Sequence, residues 1–191
     1  QLEFHHPRAR IGTNHQLSIL GIYAMQIIEK IVDRTYLFHL LTKGDTEHPS
    51  APFISNSLHS HTYCYLALID LEEYKHLVIN SSIEQVQLDV SDYPLINDVI
   101  SKINSHTDFL YETRSDGGLN GIEVQRKLST FEQEGIFSGA LIQDKYPSMR
   151  DTGSYYVIDG MHRLVAYGLL TRLDSKHFPI KVYLCTNNPD I

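Results

Sequence analysis

The chain has 191 residues, 42% of them apolar and 20% charged, enough for one packed core or one core with a small appendage. Lys and Arg number 16 against 23 Asp and Glu, a net charge of -7, which argues against an overall attraction to nucleic acid or anionic membrane while leaving room for a local basic pocket. The two cysteines, Cys64 and Cys185, rule out a disulfide-dense scaffold and a Cys-x-x-Cys motif; they read as reduced, buried thiols of a cytoplasmic protein, and no apolar run approaches the ~20 residues that span a bilayer.

In chain order, Leu17, Leu20, Ile22, Tyr23, Ile27, Ile31 and Phe38 recur at steps near three and four. That spacing predicts a helix capped at Thr13 or Asn14 and ended by Gly44. Pro49, Pro52 and several serines then mark a loop. His59 and His61 have a spacing that puts both rings on one face of a strand, as a metal would need, with exposed loop histidines as the plainer reading. Tyr63–Ile69 is continuously apolar, and periodicity leaves strand and helix both open. Asp70 and Glu73 have capping-box spacing for a helix running to about Asn80, with Ile69 and Tyr74 as its staple.

Val86, Leu88 and Val90 alternate with polar residues, which predicts a half-buried strand. Pro94 then leads a helix whose apolar face is Leu95, Ile96, Val99, Ile100 and Ile103. Residues 104–121 read as an open loop, in which the stretch from Glu112 to Gly118 is either a cover for a ligand or a plain surface loop. Residues 122–131 predict a short helix closed by Gly135. Strands are expected at 140–143 and 155–158, paired as a hairpin, then a helix over 161–170 and a last strand at 180–184. Tyr155 and Tyr156 are core or cross-strand residues, or a platform for a base. This mixture predicts an α+β or α/β domain.

The densest chemistry lies where the strand at 155–158 runs through Asp159-Gly160 into a helix opening Met161-His162-Arg163. Free backbone N–H groups gather at such a helix start, and its dipole favours an anion. Gly160 permits a tight turn and close approach of a phosphate. Arg163 offers a planar fork of donors, and His162 a further one. Asp159 is placed to bind Mg2+ or to accept a proton from a substrate hydroxyl. The plainer reading makes Asp-Gly a helix cap and His-Arg a solvated first turn.

The run Val157-Ile158-Asp159-Gly160-Met161-His162-Arg163-Leu164-Val165-Ala166-Tyr167 resembles the signature of the ParB/sulfiredoxin superfamily. The order of elements over about 122–185 agrees with it, including Glu134-Gly135-Ile136 before and Phe178-Pro179-Ile180-Lys181-Val182-Tyr183 after. The resemblance implies a ParB/sulfiredoxin-like mixed sheet with packed helices over 81–191, which binds nucleotides, and leaves 1–80 as a mainly helical N-terminal extension. It places phosphates at Gly160, Met161, His162 and Arg163. Sulfiredoxins carry a catalytic Cys where this chain has Met161, which a thioether cannot replace. Chromosome-partitioning members continue into a DNA-binding module, which is not expected in the few residues after the last strand. The free-serine-kinase branch, whose signature begins Asp-Gly, agrees best. It implies ATP or ADP with Mg2+, catalysis by Asp159 and an upstream Glu, with Glu112, Glu123, Glu132 and Glu134 as candidates and Glu112 taken first. The expected function is phosphoryl transfer to a small hydroxyl-bearing metabolite in the cytoplasm. The alternatives are a non-catalytic nucleotide switch or partner-binding module and a ParB-like DNA-associated nuclease or NTPase. Nucleic acid and membrane are not expected partners. If Arg163 faces an open cleft, its removal is expected to cost little stability.

Overall fold

A computed structural model describes residues 25–45, 47–79, 93–113, 118–134, 139–144, 155–189 and 191. The expectations for 17–23, 86–90, Gly135 and most of the 144–154 turn fall outside that set.

The first described strand is β1 (Gln26–Lys30), followed by α1 (Arg34–Thr42). The long helix expected up to Gly44 is therefore divided. Asp33 starts a new helix, its side chain accepting from the Tyr36 N–H at 2.8 Å, while Ile27 is taken into strand pairing. A second helix, α2 (Ala51–Ser60), carries Pro52 in its first turn, where a missing N–H costs nothing.

Tyr63–Ile69 is a strand, β2. It pairs antiparallel with β1 on one side and with the last strand, β6 (Ile180–Thr186), on the other. Helices lie over both of its faces, which accounts for the unbroken apolar run. Asp70 and Glu73 form the expected reciprocal capping box of α3 (Leu71–Lys75), and Ile69 and Tyr74 are both fully buried. That helix stops at His76, short of Asn80, because the chain turns at once into β3 (Leu77–Val78).

The helix after Pro94 is α4 (Ile96–Ser105), with Ile96, Val99, Ile100 and Ile103 buried. The stretch expected as an open loop contains a 3-10 turn at Thr107–Tyr111 anchored by buried Phe109. Then come α5 (Gly121–Glu134), β4 (Leu141–Asp144), β5 (Tyr155–Asp159) and α6 (Met161–Thr171). β4 and β5 pair antiparallel, as a hairpin would.

The sheet order is β1-β2-β6-β4-β5-β3. β6 runs parallel to β4, and β3 parallel to β5. The described residues before position 80 thus supply three strands and three helices, and β2 is bonded along its length to β6. The sheet does not divide at residue 80.

Two apolar layers cover the sheet. On one face Ala67, Ile142, Val157, Val182 and Leu184 pack with Val99 and Ile100 of α4 and with Leu164 and Val165 of α6. On the other, Cys64, Leu141 and Cys185 pack with Leu37 and Leu41 of α1 and with Ile54 and Leu58 of α2. The α+β class expected from the sequence is the class observed. The strands at 141–144, 155–159 and 180–186 share one sheet with α6 packed on it, as expected. Among the described residues no helix is long and apolar enough to cross a membrane.

Candidate functional site

The passage from β5 to α6 takes a single residue. Gly160 has φ 89°, a left-handed conformation that a side chain resists. A Cβ there would lie 2.9 Å from the Ala140 Cβ and 3.0 Å from Nη2 of Arg163. Gly160 therefore lets the turn press against the chain entering β4 and leaves space for the guanidinium. No side chain caps α6, so the N–H groups of its first turn lack the partner that a Ser or Asp would give.

Asp159, 7% exposed, ends β5. Its Oδ2 accepts a hydrogen bond from Arg163 Nη2 at 2.6 Å. The expected open cleft at Arg163 is thus partly closed by an ion pair within the motif. Met161 packs against the main core, so only its backbone is available to a phosphate.

His162 plays another part. Its Nε2 accepts the Asn120 N–H at 3.0 Å. Burial is the main cause holding its pKa below the ordinary imidazole value, while Glu123, the Gly118 backbone and Asp159 pull the other way. The neutral ring thereby joins the first turn of α6 to the start of α5, where Asn120 Oδ1 accepts the Glu123 N–H at 3.3 Å. A histidine whose folded pKa is depressed contributes stability that is present above its unfolded value of about 6.5 and is lost as pH falls below it. Thermal melts should show a loss as pH falls below about 6.5 that is absent in His162→Gln, whose amide oxygen accepts at any pH. An equal acid slope in the variant would remove His162 as its source.

Positive charge gathers beside this turn. Lys127 of α5 is half-buried, and its pKa is lowered first by burial, then by the charges of Arg126 and Arg163, against the pull of Glu123, with a smaller push from Lys43. The charges of Arg126, Arg163 and Lys43 thus all reach Lys127. Sequence reasoning found Arg163 and missed Lys127, Lys43 and Arg126, because their convergence is tertiary and leaves no local motif.

Of the upstream carboxylates among the described residues, Glu123 is the one whose charge reaches His162. It also accepts two hydrogen bonds from Arg126, at 3.0 and 2.6 Å, which hold its carboxyl below the usual range. Glu112 follows the 3-10 turn, where its backbone carbonyl accepts from the Ile122 N–H. Glu132 and Glu134 lie in the last turn of α5, and their side chains are outside the described residues.

Asp159 offers one carboxylate, already bonded to Arg163, and among the described residues there is no group of three His, Cys, Asp or Glu able to hold an ion. His59 and His61 are not on a strand. His59 is in the last turn of α2 and His61 follows it; their Nδ1 atoms lie 2.6 and 2.9 Å from the Ser55 and Ser57 carbonyls. Tyr156 is buried in edge contact with Tyr93, and Tyr155, half-buried, packs against the core. Residues 114–117 are outside the described set.

No family model, no curated protein and no solved structure matches this chain.

Proposed function

We propose that the β5–α6 turn holds the phosphates of a nucleotide, ATP or ADP, and that the chain transfers a phosphoryl group to a small hydroxyl-bearing metabolite in the cytoplasm. The observation that carries this reading is the convergence of Arg163, Lys127, Arg126 and Lys43 beside an uncapped helix start, in a chain of net charge -7. Cations concentrated against that overall balance suit a small polyanion. Guanidinium and ammonium groups with backbone N–H donors are what a polyphosphate needs, and phosphoryl transfer asks mainly for positioning and charge neutralisation. Arg163 turns from Asp159 to the phosphates, and Asp159, so released, accepts the proton of the acceptor hydroxyl. Lys127 neutralises charge on the transferred group. Mg2+, where used, enters with the nucleotide's own phosphates.

A second reading is favoured by the Asp159–Arg163 pair itself. A nucleotide that draws Arg163 away breaks a short, nearly buried ion pair, and that change alone can switch the turn without catalysis. The DNA-associated reading has no comparable observation behind it.

The test is nucleotide affinity in Arg163 variants. Arg163→Ala should weaken ATP binding by about 1.5–3 kcal/mol, the scale of charge-assisted hydrogen bonds. It should also destabilise the fold by about 1–3 kcal/mol, because Asp159 loses a partner in a largely buried pair. Arg163→Lys keeps a positive charge beside Asp159 but not the planar fork. It should recover most of the stability and little of the affinity. Unchanged ATP affinity in a folded Arg163→Lys protein would remove Arg163 as a phosphate ligand.

A further inference from the structure

Cys64 and Cys185 lie 121 positions apart, yet their side chains meet beneath α2. They are directly opposed on the antiparallel strands β2 and β6. The Cys64 carbonyl accepts from the Ile31 N–H at 2.8 Å, on the β1 side. In an antiparallel sheet a residue's N–H and C=O point the same way, so Cys64 and Cys185 form a pair without mutual backbone hydrogen bonds. In such pairs the Cα atoms approach to roughly 4.5 Å and side chains are closest, a separation within the range that disulfides span. The sulfurs stand 2.9 Å apart, closer than unbonded sulfurs ordinarily pack. Both residues are fully enclosed, at 1% and 0% exposure.

The surroundings are polar in an unusual way. Gln143 is the Cα partner of Cys185 on β4. The Cys64 thiol and burial push the Cys185 thiol well up, against a smaller opposing pull from Ser57 of α2, so Cys185 stays protonated. The Ser57 Oγ and Gln143 Oε1 are the buried side-chain oxygens that lack a hydrogen-bond partner among the described residues. A buried oxygen without a partner is costly, and two of them flank this thiol pair. The Cys185 thiol holds the Cys64 pKa below the ordinary thiol value against the opposing effect of burial, and the Arg34 guanidinium, bonded to the carbonyls of Leu58, His61 and Thr62, adds a smaller pull the same way.

We propose that Cys64 and Cys185 are a peroxide-responsive dithiol that closes to a disulfide joining β2 to β6. Hydrogen peroxide is the fitting oxidant, because it is small enough to enter on local opening of α2 and offers donors to the orphaned Ser57 and Gln143 oxygens. The Cys64 thiolate attacks one peroxide oxygen and the O–O bond breaks, giving a sulfenic acid and hydroxide. The Cys185 sulfur then attacks the Cys64 sulfur, water leaves, and the S–S bond forms. Two thiols and one peroxide become one disulfide and two waters. The bond closes a long loop and ties the first half of the sheet to its last strand.

The experiment treats the reduced, full-length protein with hydrogen peroxide, then denatures it, alkylates free thiols and measures the mass of the intact chain and of its proteolytic peptides. The expected product is lighter by about two hydrogens, takes up no alkylating agent, and yields one peptide pair linked through Cys64 and Cys185. Its melting temperature should rise by about 5–15 °C and fall back with dithiothreitol. In Cys185→Ser the thermal shift should vanish and Cys64 should be trapped as sulfenic acid by a dione reagent. Two fully alkylated thiols after peroxide, or separate sulfinic acids without a linked peptide, would overturn the proposal, and both readouts come from the wild-type chain.

Discussion

Gly121→Ala should cost about 3 kcal/mol or more and lower the melting temperature by roughly 6–12 °C. A Cβ at Gly121 would sit 1.7 Å from the Phe109 carbonyl oxygen and 2.7 Å from its carbon. Both are backbone atoms, so no rotamer relieves the clash. Retreat is also blocked, because Phe109 is fully buried and the Ile122 N–H is bonded to the Glu112 carbonyl at 3.0 Å. The start of α5 must therefore move, and with it Asn120, whose N–H is held by His162. Gly44→Ala supplies the contrast. Gly44 also has positive φ, at 75°, but nothing lies within 4 Å of the added carbon, so only backbone strain of about 1 kcal/mol is expected. Equal melts for the two variants would show that the close approach at Phe109 does not constrain the protein.

Asp159→Asn separates an enzyme from a switch. If Asp159 accepts the proton of an acceptor hydroxyl, turnover should fall by about a hundredfold, near 2.7 kcal/mol of barrier. ATP affinity should hold or rise, since a negative charge beside the phosphates is removed. The melt should drop modestly, because an amide oxygen still accepts from Arg163 but without the ionic part of a 2.6 Å contact. The switch reading expects no turnover in either protein and tighter nucleotide binding in the variant, because Arg163 is released more easily. Product formed at the parental rate by Asp159→Asn would take Asp159 out of the chemistry.

The elements with local signals were legible in the sequence. The Asp70–Glu73 box, the apolar face of α4, the β4–β5 pair and the Asp-Gly entry into α6 each rest on residues a few positions apart. The failures were non-local. Ile27 matches a helical period by accident, and its strand pairing is set by Ala67 of β2, about 40 residues on. β2 itself was ambiguous until β6 lay beside it. At the site, Asp159 and Arg163 were found because they share one motif, but their ion pair was not foreseen, nor was the acceptor role of His162. Lys127 and Lys43 had no motif to reveal them, and two cysteines 121 residues apart read as unrelated thiols until the register of β2 and β6 opposed them.

The central claim is that cations around the β5–α6 turn hold nucleotide phosphates, and Lys127 tests it most cleanly. Lys127 is half-buried beside Arg163 and outside the Asp159 ion pair, so Lys127→Gln should leave the melt nearly unchanged. Titration calorimetry of ATP with Mg2+ into both proteins is the measurement. Saturable one-site binding to the parent, weakened about tenfold or more in Lys127→Gln, is the predicted result. No saturable binding to the parent, or equal affinity in the two proteins, would contradict it.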